Sequence, residues 1–107
     1  MRDAAEAAGV TTRELAHIGV GSPGEIGSAP GTVTSARNLP GWEGSYPLAA
    51  VLEDGLGARV VLGNDVQVAT DAEAQLGTGR PYRSILGVFW GTGVGGGIIL
   101  NGTPWLG

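Results

Sequence analysis

Residues 91–97 read GTGVGGG, five glycines in seven positions, set between the apolar runs SILGVFW and IIL. Glycine loses more backbone entropy on ordering than any other residue and offers no side chain to pack. A chain that concentrates it either needs backbone conformations closed to other residues or needs something to approach the main chain very closely. Gly91, Gly93 and Gly96 satisfy the G-x-G-x-x-G spacing of dinucleotide sites, but that fingerprint opens a helix. Here Ile98, Ile99 and Leu100 follow, then Asn101 and Gly102, which is strand and hairpin turn. A P-loop requires a lysine, and the chain has none. What remains is strand, glycine turn, strand. In such a turn successive backbone N–H groups can face one concavity and take up an anion, and Thr92 adds a hydroxyl. A plain hairpin turn or bulge would use the same residues, so both readings stay open.

The rest of the composition excludes whole classes. The chain has 107 residues and 21 glycines, with an ordinary apolar share, and reads as globular. All six basic residues are scattered arginines and the net charge is −4, so this segment is expected to bind no nucleic acid. There is no cysteine and one histidine, His17, which leaves no thiolate metal site and too few ligands for zinc. His17 falls in a predicted strand and is read as structural or exposed. No stretch reaches the ~18 apolar residues of a membrane span. MRDAAEAAGV lacks the apolar core of a signal peptide. These absences make a cytoplasmic location the expectation.

Along the chain, residues 2–8 predict a helix ended by Gly9, and 11–14 a short connection. LAHIGVGSPG, 15–24, predicts a buried strand and a loop. Residues 25–45, rich in Gly, Pro, Ser and Asn, predict mostly loop. Ser45 before Pro47 signals a helix start, with Leu48, Val51, Leu52 and Leu56 on one face and Gly55 and Gly57 at its end. ARVVL, 58–62, predicts a short buried strand. Asn64, with Gln67 three residues on, is a capping-box pattern opening a helix to about Leu76 whose face is Val66, Ala69, Ala72 and Leu76. Residues 84–90 and the apolar run after the glycines predict two more strands. Phe89 and Trp90 are read as core, with Trp90 alternatively walling a cleft. The order is α/β. After the turn at Asn101 and Gly102 few residues remain for a partner strand, and Met1 opens directly in a helix. The chain therefore reads as a piece of a longer protein.

Two further groups carry chemistry. Asn64 and Asp65 stand where a strand ends and a helix begins. Ligands of open α/β sheets bind beyond strand carboxyl ends, and a carboxylate there can take a hydroxyl proton. Helix capping and an acid favoured by the helix dipole explain the same two residues. In NLPGW, 38–42, a Pro-Gly turn sets Asn38 beside an indole. Its amide can donate to and accept from a sugar hydroxyl, or it can close an Asx turn while Trp42 packs inward.

Taken together, GVGSPG, GTVTSARNLPGW, NDVQVATDAEAQLG and GTGVGGGIILNG, in this order and spacing, resemble the middle of a ROK-family protein, a group of bacterial sugar kinases and sugar-responsive repressors. The resemblance covers nearly the whole chain from about residue 15. It implies part of an actin-like, ribonuclease-H-like sugar kinase fold, truncated at both ends. Residues 1–63 would end the small N-terminal domain, and 64–107 would hold the interdomain helix and first strands of the large one. It implies Asp65 as catalytic base, Asn64 and Asn38 as sugar contacts with Asp65, and Gly91, Thr92, Gly93, Gly95 and Gly96 as a nucleotide-phosphate loop. ATP with Mg2+ would be the cofactor, a hexose, foremost glucose, the substrate, and a homo-oligomer the state of the complete protein.

The chain departs from the family pattern in several places. No Asp-x-Gly-Gly-Thr phosphate motif, no Gly-Glu-Ile-Gly-His segment and no cysteine-rich zinc motif occurs. Gly63 stands where many members carry a larger residue. Half of each phosphate clamp and half of the sugar site are missing, so the segment alone is expected to be inactive. A repressor fragment and a non-functional gene remnant are the alternatives.

Overall fold

The computed structural model describes residues 1–27, 29–36, 40–41 and 44–107. Asn38 and Trp42, both singled out above, lie outside the described residues. The chain divides into two units, Met1–Gly63 and Asn64–Gly107. Among the described residues the strands form three sheets.

The first unit opens with α1 (Arg2–Ala7), after which Gly9 turns the chain at φ +74°. A single 3-10 turn, Thr12–Glu14, follows. Its Glu14 carboxylate accepts from the Thr11 N–H at 2.7 Å and from the Thr11 hydroxyl at 2.8 Å. These two bonds, the backbone one foremost, hold the Glu14 carboxyl below its usual value. The buried Thr12 hydroxyl donates to the Leu56 carbonyl at 2.7 Å, which ties this turn to the end of α2 (Leu48–Leu56). The Arg2 guanidinium donates to the Gly55 carbonyl in the same helix. Gly57 ends α2 in the left-handed region at φ +67°, the usual C-terminal use of glycine.

β1 (His17–Ser22) pairs with β5 (Arg59–Asn64). Neither strand is buried throughout. β1 alternates exposed and partly covered positions up to buried Ser22, and His17 is exposed. The sequence reading of 15–24 and 58–62 as buried strands is thus corrected to half-covered ones. Glycine at 19 and 21 gives an apolar run without apolar side chains to bury.

Residues 25–45 are not simply loop. β2 (Glu25–Ile26), β3 (Val33–Thr34) and β4 (Ser45–Tyr46) form a small antiparallel sheet in which Val33 pairs with both Ile26 and Tyr46. Val33 is almost wholly buried. Two-residue strands leave no periodicity to read, which is why glycine and proline dominated the sequence signal. Ser45 belongs to β4, and Pro47 itself stands at the start of α2. On α2 the buried residues are Ala49 and Leu56, while Val51 is exposed.

The second unit is α3 (Asp65–Gln75) on an antiparallel sheet of β6 (Ile85–Trp90), β7 (Val94–Leu100) and β8 (Thr103–Trp105). Gly87 stands opposite Gly97, Phe89 opposite Gly95 and Trp90 opposite Val94. Asn101 and Gly102 turn the chain with φ +53° and +84°, the doubly positive geometry expected of this dipeptide. The few residues after the turn do form a strand, β8, paired from Leu100 and Thr103 to Ile98 and Trp105.

The α3 face differs from the one that hydrophobic spacing gives. Thr70 is its buried residue, whereas Ala72 and Leu76 are exposed. The reason lies on the sheet, where the helix meets glycines. The Thr70 hydroxyl, which donates to the Val66 carbonyl at 2.9 Å, stands where a β-carbon on Gly87 or on Gly97 would go. Close backbone approach selects small contacts such as Thr70 and Val66.

Candidate functional site

Asn64 ends β5 in an extended conformation, and its side-chain oxygen accepts the Gln67 N–H at 3.1 Å. The cap expected from the sequence is therefore present. The Gln67 side chain is engaged with β7: its oxygen accepts the Ile98 N–H at 3.2 Å and its nitrogen donates to the Ile98 carbonyl at 3.4 Å. Asp71, one turn on, accepts from the same nitrogen at 2.8 Å.

Asp65 is the first residue of α3 and is exposed. One carboxylate oxygen accepts the Val66 N–H at 2.9 Å. That bond fixes the carboxylate at a helix start, where unpaired N–H groups favour an anion. The second oxygen makes no hydrogen bond among the described residues and is free to accept a proton or a hydroxyl.

The glycine run divides into two parts with different tasks. Gly95 and Gly97 lie in β7 under the helix: a β-carbon on Gly95 would sit 2.8 Å from Val66 Cγ2, and one on Gly97 would sit 3.1 Å from the Gln67 Cα. Gly96 also lies in β7, opposite Val88. The turn proper is Gly91, Thr92 and Gly93, closed by the Gly91 N–H donating to the Gly93 carbonyl at 2.9 Å. A β-carbon at Gly91 or Gly93 would meet nothing within 4 Å, and neither residue has a positive φ. Within the chain, then, neither strain nor crowding calls for glycine at 91 and 93. An anion approaching the main chain would call for it.

The concavity expected over 91–97 is narrower than the sequence suggests. Gly95 and Gly96 are ladder residues, and the Gly91 N–H is engaged. The Thr92 and Gly93 N–H groups and the Thr92 hydroxyl make no hydrogen bond among the described residues. An N–H or hydroxyl of this kind can donate to an oxygen that approaches the turn. Phe89 and Trp90, read as core, are exposed at 37% and 86%. Trp90 stands beside the turn.

Helix and turn share one end of this unit. Along α3, Val66 meets Gly95 and Thr70 meets Gly97, so the helix starts at the turn end of the β6–β7 hairpin. Asp65 immediately precedes Val66, and Gly93 is two residues before Gly95. A carboxylate with a free oxygen thus lies at the same end as unpaired N–H donors. Asp65 and the residues of the turn therefore lie toward the same end of the second unit. Sequence reasoning missed Gln67 and Thr70 as the residues that hold these parts together. Gln67 was legible only as a capping residue, and a lone threonine carries no periodic signal.

Residues 2–107 match the ROK family, and the chain belongs to it. It is 36% identical over 89 residues to a glucokinase of Thermotoga maritima, an alignment covering 83% of this chain and 28% of that enzyme. The structure of a ROK-family glucokinase from Streptomyces griseus in complex with glucose and AMPPNP superposes with a TM-score of 0.80 at 31% identity, over 88% of this chain and 30% of that one. A ROK-family transcriptional regulator, a homolog of the E. coli MLC protein, shares the fold with a TM-score of 0.75 at 24% identity, over 94% of this chain and 24% of the regulator. The fold is accordingly that of part of a ROK sugar kinase, and the chain spans under a third of each of these three proteins.

Proposed function

We propose that this chain is the segment of an ATP-dependent hexose kinase that carries its general base and one of its phosphate-facing hairpins, with glucose the foremost substrate. In this reading residues 1–63 end the small domain and 64–107 begin the large one. Asp65 deprotonates the sugar hydroxyl that attacks the γ-phosphate, and its free oxygen is the acceptor. Asn64 and Asn38 are assigned as sugar contacts on the family resemblance alone. The donors of Thr92 and Gly93 bind phosphate oxygens, Gly91 leaves room for them, and Gly95 and Gly96 carry the strand behind. ATP supplies the phosphoryl group, and Mg2+ neutralises its charge. Among the described residues no three His, Cys, Asp or Glu side chains converge on a metal position.

The observation that supports the reading is that α3 starts toward the turn end of the β6–β7 hairpin, the end that carries the open turn residues. Membership of a family whose relatives include glucokinases supports it. Among the described residues no helix is long and apolar enough to cross a membrane. The rival, a sugar-sensing repressor, would bind hexose through the same asparagines but would not need a base at 65. The test is ATP-dependent phosphorylation of glucose by the complete protein that carries this segment. Turnover supports the kinase, and hexose binding without turnover supports the sensor.

A further inference from the structure

We infer that Gln67 is a positioning residue, which fastens β7 to α3 and so fixes the spacing between Asp65 and the turn of residues 91–93. The inference rests on the reading of that end as a kinase site. Its geometry is independent of that reading.

Gln67 makes four hydrogen bonds in two directions. Its N–H holds the Asn64 cap at the start of α3. Its side-chain amide holds both backbone groups of Ile98 in β7. An amide is the one uncharged side-chain group that offers a donor and an acceptor side by side, matching the C=O and N–H of a single strand residue. A carboxylate could take the Ile98 N–H only, and an ammonium the carbonyl only. Asp71 accepts the second amide proton, which fixes which end of the amide is which. One residue therefore joins the cap, the helix and the central strand of the sheet.

Fastening of this kind is needed because the contact beneath it is made by glycines. Gly87, Gly95 and Gly97 present bare backbone to α3. Side chains that interlock resist sliding, and a bare backbone does not. Two hydrogen bonds at Ile98, four residues along β7 from Val94, supply the missing register. Phosphoryl transfer depends mostly on positioning, so a small shift of the turn relative to Asp65 would be felt in turnover before it was felt in sugar binding.

Gln67→Met tests this, since methionine keeps the length and volume of glutamine and removes the amide. In the 107-residue chain, amide hydrogen exchange at Ile98 should speed up by about tenfold, the usual weight of one or two net hydrogen bonds. Residues 92–94 should speed up with it, and Val60 in the other unit should not change. Asp71→Asn keeps an acceptor for the Gln67 amide and should exchange like the wild type. Circular dichroism verifies that each variant folds. In the complete protein Gln67→Met should lower kcat several-fold and leave the hexose KM within about twofold, a split expected when only positioning is lost. Unchanged exchange at Ile98, or an unchanged kcat in an active enzyme, would overturn the inference. An inactive wild type would overturn the kinase reading instead, and the exchange result would still decide the fastening.

Discussion

A β-carbon placed on Gly95 would lie 2.8 Å from Cγ2 of Val66. Real β-carbons do not sit so close, and Val66 is β-branched with little rotamer freedom to yield. Gly95 is therefore glycine because of the helix that carries Asp65. Gly95→Ala should destabilise the second unit by about 1–3 kcal/mol, the usual range for overpacking. Chemical denaturation measures this, and adding Val66→Ala should return most of the loss.

Gly91 and Gly93 should behave in the opposite way. Their β-carbon positions are open, so Gly91→Ala and Gly93→Ala should leave stability within about 1 kcal/mol, or raise it slightly through the unfolded chain. If the turn receives phosphates, the same substitutions should raise the KM for ATP in the complete protein. The Gly95 and Gly91 variants thus separate glycine kept for packing from glycine kept for a ligand.

The contrast also marks how far the sequence could be read. The Asn64 cap, the turn at Asn101 and Gly102 and the strand–turn–strand character of the glycine run were all legible, because each depends on chemistry local to a few residues. Leu76 was misplaced, since hydrophobic spacing assumes a helix packs through its large apolar side chains. Against bare glycine backbone the contacts fall instead to Val66 and Thr70. Ser45 was misread as a helix start because a two-residue strand carries no pattern. The division of the glycines between packing and turn depends on which of them α3 crosses, and that is a tertiary fact.

The outer face of the second unit predicts association. Residues paired across a sheet share a face, and Leu86, Val88, Trp90, Val94, Leu100 and Trp105 all lie opposite to the helix side and are exposed. Contiguous apolar patches of this kind drive association. The isolated 107-residue chain should sediment as oligomers at micromolar concentration, and Leu86→Lys should shift it toward monomer. A monodisperse wild-type monomer would contradict this.

Glu14 gives an acid-side prediction. Its bonds to Thr11 lower its carboxyl from an ordinary value of 4.5. A carboxyl lowered on folding adds stability above its unfolded value and loses it as the pH falls through the folded one. Glu14→Gln should flatten the stability curve of the first unit below about pH 4.5, with little change in slope near neutrality. A chemical-shift titration of the Glu14 carboxyl should give a midpoint below 4.5.

The central claim is that Asp65 is a base and not only a well-placed helix residue. Asp65→Asn in the complete protein keeps size and hydrogen bonding and removes basicity. If Asp65 takes the sugar proton, kcat for ATP-dependent glucose phosphorylation should fall by roughly 10²–10⁴-fold, the usual worth of general base catalysis. Sugar affinity should be nearly unchanged, and stability should hold within about 1 kcal/mol, the usual worth of one acidic charge at a helix start. A kcat close to that of the wild type would contradict the account and leave Asp65 as a helix-start residue alone.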